Sequence, residues 1–256
     1  MAGLVLFSSC SEKDNKDDNT TTASQKLEKM TVVKTGSSKE KSSWTIEFQW
    51  NGDLLQSVVQ TETRSSGTDV LNWVLNYNGD KLSTILFYEK GSLDATYNCF
   101  YTGDLLTEVR KVHGDSEQRF TIGYNGNGEM TSVVREGGWV CNLTWQNGNV
   151  MQLQRTESDG NGTKIWKYTF DDKPSSFTGF GLGVICQIDE IYDGGVPYMC
   201  KNNVLTEQTI YSDGSTGHSY DYTYTYDDDG YPKICTRSSN VFYFKYIGKS
   251  DPAPAY

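Results

Sequence analysis

Side chains able to do acid–base or nucleophilic chemistry are few in this 256-residue chain. There are two histidines, His113 in Lys-Val-His-Gly-Asp and His218 in Thr-Gly-His-Ser-Tyr. Ser-His-Asp or Cys-His catalysis needs a histidine held beside a nucleophile and oriented by a third group. Both histidines lie in polar, glycine-containing stretches that read as turns, and no Gly-x-Ser-x-Gly elbow accompanies them, so the expectation is two solvated turn residues. Asp227, Asp228 and Asp229, with Asp221 upstream, and the pair Asp171-Asp172 supply oxygen atoms of the kind calcium takes. The EF-hand spacing is absent, and Asp is also a routine hairpin-turn residue whose carboxylate bonds nearby amides, so turn structure is the favoured reading. The paired carboxylates of a glycoside hydrolase are a property of the fold, and 33 acidic residues do not reveal them. The expectation is a non-catalytic protein with no cofactor, with a glycan hydrolase as the lesser alternative.

The N-terminus runs Met1-Ala-Gly-Leu-Val-Leu-Phe-Ser-Ser-Cys10, apolar and then small before a cysteine. It resembles the end of a bacterial lipoprotein signal peptide, which makes Cys10 the lipidated residue. Phe7 stands where a strict lipobox has Leu, with Leu6 adjacent; looser versions occur in the Bacteroidetes. A full signal has a basic n-region and about 15–30 residues, so the natural start is expected upstream of Met1. Residues 11–25 are polar and charged, beginning Ser11-Glu-Lys-Asp-Asn-Lys-Asp-Asp18, and have nothing to bury, so they read as a disordered tether between membrane and body. An acidic stretch behind the lipid cysteine also resembles the signal that sends Bacteroidetes lipoproteins to the outer face of the outer membrane. The expected location is the outer membrane, on the cell surface or the periplasmic face, with the membrane contacted through the lipid.

The net charge of −10, without any Lys/Arg run, argues against nucleic acid, whose phosphates call for a concentrated basic face. Beyond Cys10 come Cys99, Cys141, Cys186, Cys200 and Cys235, an odd number for an oxidising compartment. Cys186 and Cys200, separated by a loop containing Asp-Gly-Gly-Val-Pro, are the expected disulfide, whereas Cys99 and Cys141 read as core-facing strand residues. With no Cys-x-x-Cys, a zinc site is not expected.

What positions any of these residues is a repeated hairpin. An aromatic, then Asn or Asp with Gly, then two aliphatics three apart recurs as Trp50-Asn-Gly-Asp-Leu-Leu55-Gln-Ser-Val58, Tyr77-Asn-Gly-Asp-Lys-Leu82-Ser-Thr-Ile85 and Tyr101-Thr-Gly-Asp-Leu-Leu106-Thr-Glu-Val109. Variants begin at Tyr124, Trp145, Phe170 and Tyr226, and the unit is about 24 residues, enough for two strands and two turns. Asn-Gly and Asp-Gly supply the positive φ of hairpin turns. The flanking residues alternate, as in Trp44, Ile46, Phe48 and Trp50 against Thr45, Glu47 and Gln49. Aliphatics three apart break that alternation and predict a β-bulge just after the turn.

The predicted fold is all-β: one domain over residues 26–256, an antiparallel meander of repeated hairpins with about 14–16 strands. Accumulating twist and the hazard of open edges favour curling into a barrel-like roll or a strongly twisted sheet. The phrase Tyr226-Asp-Asp-Asp-Gly-Tyr-Pro-Lys-Ile234 resembles the Tyr-Asp repeats of RHS-type shells. The stretch Phe170-Asp-Asp-Lys-Pro-Ser-Ser-Phe-Thr-Gly-Phe180 is similar to a segment of Bacteroidetes lipoproteins of an uncharacterised domain family. The resemblance covers about residues 44 to 246 and implies a fold and a lineage, with no catalytic residues to carry over. Most copies read Asn-Gly where RHS repeats read Asp-x-x-Gly, and the chain is too short for a toxin-enclosing shell.

Two partner classes follow from these features. Exposed Trp73, Trp139 and Trp166 are the expected stacking platforms for a polysaccharide. Unpaired first and last strands would instead let an envelope protein add a strand, as an assembly component. Residues Thr178–Pro197 interrupt the repeat and are expected to be either a binding loop or a cap that closes one end of the sheet.

Overall fold

The computed structural model describes residues 25–35, 43–64, 67–158, 162–177 and 196–253. Cys10, the tether up to residue 24, Cys186 and residues 178–195 lie outside the described residues. Sixteen antiparallel strands follow one another around a closed barrel. They are β1 (Leu27–Lys34), β2 (Ser43–Asn51), β3 (Leu54–Arg64), β4 (Gly67–Asn78), β5 (Lys81–Glu89), β6 (Ser92–Thr102), β7 (Leu105–His113) and β8 (Ser116–Tyr124). The circuit continues with β9 (Met130–Arg135), β10 (Val140–Gln146), β11 (Asn149–Thr156), β12 (Thr163–Pro174), β13 (Asn202–Tyr211), β14 (Thr216–Tyr226), β15 (Pro232–Arg237) and β16 (Asn240–Tyr246). A single turn of 3-10 helix, Val196–Tyr198, precedes β13.

Each repeat is one hairpin, and its aromatic ends the first strand. Asn51 pairs with Leu54 across Gly52-Asp53, where Gly52 has φ 57°; at the equivalent turn of β10–β11, Asn147 and Gly148 both have positive φ. These are the turns whose twist matches that of the strands they join. The predicted bulge is present in each. Trp50 faces Leu55 and Gln49 faces Ser57, so Gln56 is the extra residue; the same shift recurs at Tyr77/Leu82, Tyr101/Leu106 and Trp145/Val150.

Six hairpins are joined by such turns, the seventh, β12–β13, by the connection from residue 175 to 201, and the eighth is split between the two ends of the chain. β16 and β1 pair with Tyr246 opposite Leu27 and Lys245 opposite Lys29, which is the same bulge with Glu28 as its extra residue. The expectation that the first and last strands are unpaired is thereby overturned: they pair with each other, and no edge is left for a partner's strand. Closure satisfies the ladder groups of both strands and removes the aggregation hazard of an open edge.

The motif aromatics hold adjacent hairpins together through a shared bond. Trp50 Nε1 donates to the Leu27 carbonyl (2.8 Å), Tyr77 to Leu55 (2.8 Å), Tyr101 to Leu82 (2.9 Å), Tyr124 to Leu106 (2.9 Å) and Trp145 Nε1 to Met130 (2.6 Å). On β14 the bond is made by Tyr224, two residues before the motif aromatic Tyr226, to Val204 (3.0 Å), and on β16 by Tyr246 to Pro232 (2.9 Å). In each case the acceptor lies two residues beyond the last backbone pair between the strands; between β3 and β4, for example, pairing stops at Ser57 and Val74. The side chain therefore supplies a hydrogen bond where the ladder has parted around the bulge. Phe170 occupies the eighth position and has no donor. There the chain returning to β13 docks instead: Lys201 N bonds the Gly148 carbonyl, Asn202 bonds Asn149, and Val150 N bonds Cys200 Sγ (3.3 Å).

One row of side chains on each strand points inward. In the half nearest the motif turns this row is apolar and buried, with Leu27, Ile46, Leu55, Leu82, Ile85, Leu106, Val109, Met130 and Val150 at 3% exposure or less. Burial of this kind is worth about 1.5–3 kcal/mol per large aliphatic side chain. The described ends of the 175–201 connection tuck into this end. Ser176 Oγ lies 2.8 Å from the Tyr246 hydroxyl, Phe177 meets Tyr198 at 4.3 Å between ring centres, and Val196 and Cys200 are buried. Residues 178–195, on which the choice between a binding loop and a cap depends, lie outside the described residues.

Candidate binding site at the far end of the barrel

Directly paired residues share a face, so the pairing register tells which side chains enter the barrel at the end opposite the motif turns. On one wall the inward row reads Trp73 (β4) beside Phe87 (β5), then Tyr97 (β6) beside Lys111 (β7) beside Gln118 (β8), with Arg135 (β9) paired to the buried Phe120. On the other wall it reads Arg155 paired to Cys141, Trp166 paired to Leu153 and Thr209, Glu207 paired to Tyr168 and Tyr220, and Arg237 paired to Tyr222. Many of these residues point inward yet keep part of their surface, in contrast with the aliphatic half. Water therefore reaches the interior at this end.

The two walls hold their charges differently. Arg237 lies 5.0 Å from the Tyr220 ring centre, 5.7 Å from Tyr222 and 5.6 Å from Phe242, and donates to the Tyr222 hydroxyl at 3.3 Å. Tyr222 in turn donates to Glu207 at 3.0 Å; Glu207 is a buried carboxylate. Burial, and then the Glu207 charge, push the Tyr222 phenol above its ordinary range, so it stays a donor. Arg155 sits 4.9 Å over the Trp139 ring and is ion-paired to Glu157. Lys111 Nζ lies 5.4 Å over Tyr97. Burial lowers its ammonium pKa; the Asp94 charge opposes this and the Arg135 charge adds to it.

The structure also locates the residues singled out from sequence. Trp73 and Trp139 are inside the barrel, 7% and 4% exposed, and Trp166 is half-buried against the core. A ligand meeting their faces has to enter the barrel, because they do not form an outer platform. Asp227 caps its turn by accepting from Asp229 N and Tyr231 N, and Asp229 pairs with Lys249 at 3.0 Å. Among the described residues no three His, Cys, Asp or Glu side chains converge as metal ligands. Asp171 accepts from Asn203 N at 3.0 Å, from Lys173 N at 3.1 Å and from the Tyr226 hydroxyl, so it ties β12 to β13 and β14. His113 ends β7, exposed, 3.2 Å from Asp94. His218 lies within β14, stacked on Tyr220, where a turn was expected. The expected partner of Cys200 is outside the described residues. Lys111, Arg135, Arg155, Glu207 and Arg237 were not singled out from sequence. Their signal is the period of two carried past the bulge, which puts these charges in phase with core residues.

Most outward positions are polar, among them Glu47, Gln49, Asn142, Thr144, Thr223 and Thr225, with apolar Val59, Leu86, Ile165 and Val241 interspersed. The exposed large apolar side chains of the described residues are spread over five strands and Ile247. A membrane-spanning barrel shows lipid an apolar band about 25 Å tall and keeps polar residues inside. This barrel's outer face is mostly polar and suits water, and its interior is apolar in one half and mixed with charged groups in the other.

The fold and site thus define a closed sixteen-stranded antiparallel barrel, water-facing outside, packed at one end and wetted within at the other. Its architecture is similar to that of a porin-like protein from Bacteroides uniformis, at TM-score 0.58 and 12% identity over 86% of this chain and 96% of that one. A porin-like protein from Bacteroides vulgatus aligns at TM-score 0.42 and 9% identity over 88% of this chain and all of that one. No family model matches the chain, and no curated protein matches it.

Proposed function

We propose that the chain is a lipid-anchored, non-catalytic binding protein of the outer membrane or cell surface that takes a glycan into the wetted end of its barrel. The carrying observation is the inward row of aromatic and charged side chains at that end, in which Phe87, Lys111, Gln118, Arg135, Trp166 and Arg237 keep part of their surface while the opposite end is filled by aliphatic side chains. Sugars stack on aromatic faces and are held by planar, charged hydrogen-bonding groups, and this interior offers both. Cys10 and the polar stretch behind it support a lipid anchor, and the water-facing exterior agrees with a tethered body held outside the bilayer. The porin-like description of the Bacteroides uniformis neighbour agrees with an envelope location.

The test is to incubate the full chain with a panel of host and plant polysaccharides, recording retention and product masses. Retention without cleavage is expected. Products of lower mass would overturn the non-catalytic part, and retention of no polysaccharide would overturn the glycan part.

A further inference from the structure

We infer that the wall formed by β4 to β9 is a recognition site for an acidic oligosaccharide, one carrying carboxylates. The inference rests on the glycan reading above and names the class of glycan. Two buried polar groups aim into the barrel there without a partner: the Tyr97 hydroxyl, on a residue 0% exposed, and Trp73 Nε1, on a residue 7% exposed. An unmade hydrogen bond at such depth is costly, so groups of this kind point to something that fills them.

The charged groups beside them on that inward face are the cations Lys111 and Arg135; the carboxylates of Asp69 and Glu89 share the face nearer the strand ends, Asp69 ion-paired to Lys90 at 3.3 Å and Glu89 opposite Leu71. Lys111 is paired with Tyr97 and Arg135 is close enough for its charge to act on Lys111; the acid near them, Asp94, is the extra residue of the β5–β6 bulge. Trp73, Lys111 and Arg135 can only donate, so the complementary ligand must be rich in acceptors and carry negative charge. From Trp73 on β4 to Lys111 on β7 is three strand spacings, about 15 Å, which exceeds one sugar ring and calls for an oligomer. Lys111 and Arg135, inside a chain of net charge −10, would make the binding of an anion beside Tyr97 sensitive to salt.

The experiment titrates the full chain calorimetrically with three probes: trigalacturonic acid, its methyl ester, and adipate. The acid is expected to bind at least tenfold more tightly than the ester, and adipate not to bind measurably. Lys111→Met and Arg135→Met are each expected to weaken the acid about tenfold. Tyr97→Phe is expected to weaken it severalfold while leaving the thermal midpoint unchanged or higher, because it removes a buried hydroxyl with no partner; a merely structural hydroxyl would lower the midpoint instead. Equal binding of acid and ester, insensitive to Lys111→Met, would overturn the acidic-ligand inference and leave the glycan reading standing. Adipate binding that depends on Lys111, with neither sugar bound, would keep the anion site and overturn the glycan reading. Failure of all three probes to bind would overturn both.

Discussion

Removing the hydroxyls that clamp one hairpin to the next should destabilise the barrel by an amount the geometry fixes. Tyr77, Tyr101 and Tyr124 donate to Leu55, Leu82 and Leu106, beyond the point where backbone pairing stops. Tyr→Phe keeps the ring and its packing but leaves each carbonyl without its side-chain donor. A hydrogen bond is worth about 0.5–1.5 kcal/mol net and an orphaned buried acceptor costs about 1–3, so each substitution should cost about 1–2 kcal/mol. Successive clamps are two strands apart, about 10 Å, far enough for the costs to add, so the triple variant should lose about 3–6 kcal/mol. That is a large share of the roughly 5–15 kcal/mol available to a domain. Chemical denaturation at neutral pH reads the loss, with Tyr243→Phe as the control, since no hydrogen bond from that side chain occurs among the described residues. A second arm uses pH. Burial pushes the Tyr77 and Tyr124 phenols up to about 12, Tyr77 with a further push from Cys99. A group whose folded pKa exceeds its unfolded value of about 10 contributes fully below pH 10, and that contribution is lost as pH climbs towards 12. The triple variant should show a flatter alkaline decline than the native chain. If all three single variants fall within about 0.5 kcal/mol of the native protein, and the alkaline slopes coincide, the clamp reasoning is wrong.

Closure of the barrel predicts that amides of β1 and β16 exchange as slowly as those of β6 and β7, because Thr31 is paired on both sides, with Tyr243 and with Thr45. Fast exchange confined to β1 and β16 in a native-state hydrogen-exchange experiment would mean an open sheet. Asp171→Asn should cost about 1–3 kcal/mol, since charge-assisted bonds to Asn203, Lys173 and Tyr226 become neutral or reversed at the base of the 175–201 connection. Unchanged denaturation of that variant would show that the carboxylate does not hold β12, β13 and β14 together.

Local features of the chain proved readable where the physics is local. Asn-Gly and Asp-Gly announced the turns, alternation announced the faces, and Leu55 and Val58 three apart announced a bulge that the pairing of Gln49 with Ser57 shows. Closure was not readable, because it depends on Leu27–Lys34, a strand that carries no motif aromatic and whose partner lies more than 200 residues away. Only when Leu27 and Tyr246 are seen as the two halves of one split hairpin does the meander become a ring. The site was obscured for a related reason. Lys111, Arg155 and Arg237 look like ordinary outer-face charges until the bulge is counted, and the one-residue shift it imposes turns them inward. Trp73 and Trp139 were singled out for their size and lie in the same interior, where the expectation had an exposed surface.

Tyrosine serves two purposes in this barrel, and position along the axis decides between them. Tyr97 and Tyr101 lie four residues apart on one strand and one face. At the motif end, Tyr101 spends its hydroxyl on the Leu82 carbonyl, as Tyr77, Tyr124, Tyr224 and Tyr246 spend theirs on equivalent acceptors. Tyr97, nearer the wetted end, has no such acceptor because the ladder beside it is intact: Ile85 and Lys111 are its paired neighbours. A hydroxyl that the fold does not use yet keeps buried is a standing cost, whereas one that bridges a bulge repays itself. Loss of the Tyr101 hydroxyl should therefore weaken the fold and spare binding, and loss of the Tyr97 hydroxyl should do the reverse. Aromatic richness alone carries no functional message in such a protein, since the same residue type builds the ring at one end and lines the interior, its hydroxyl unpartnered, at the other.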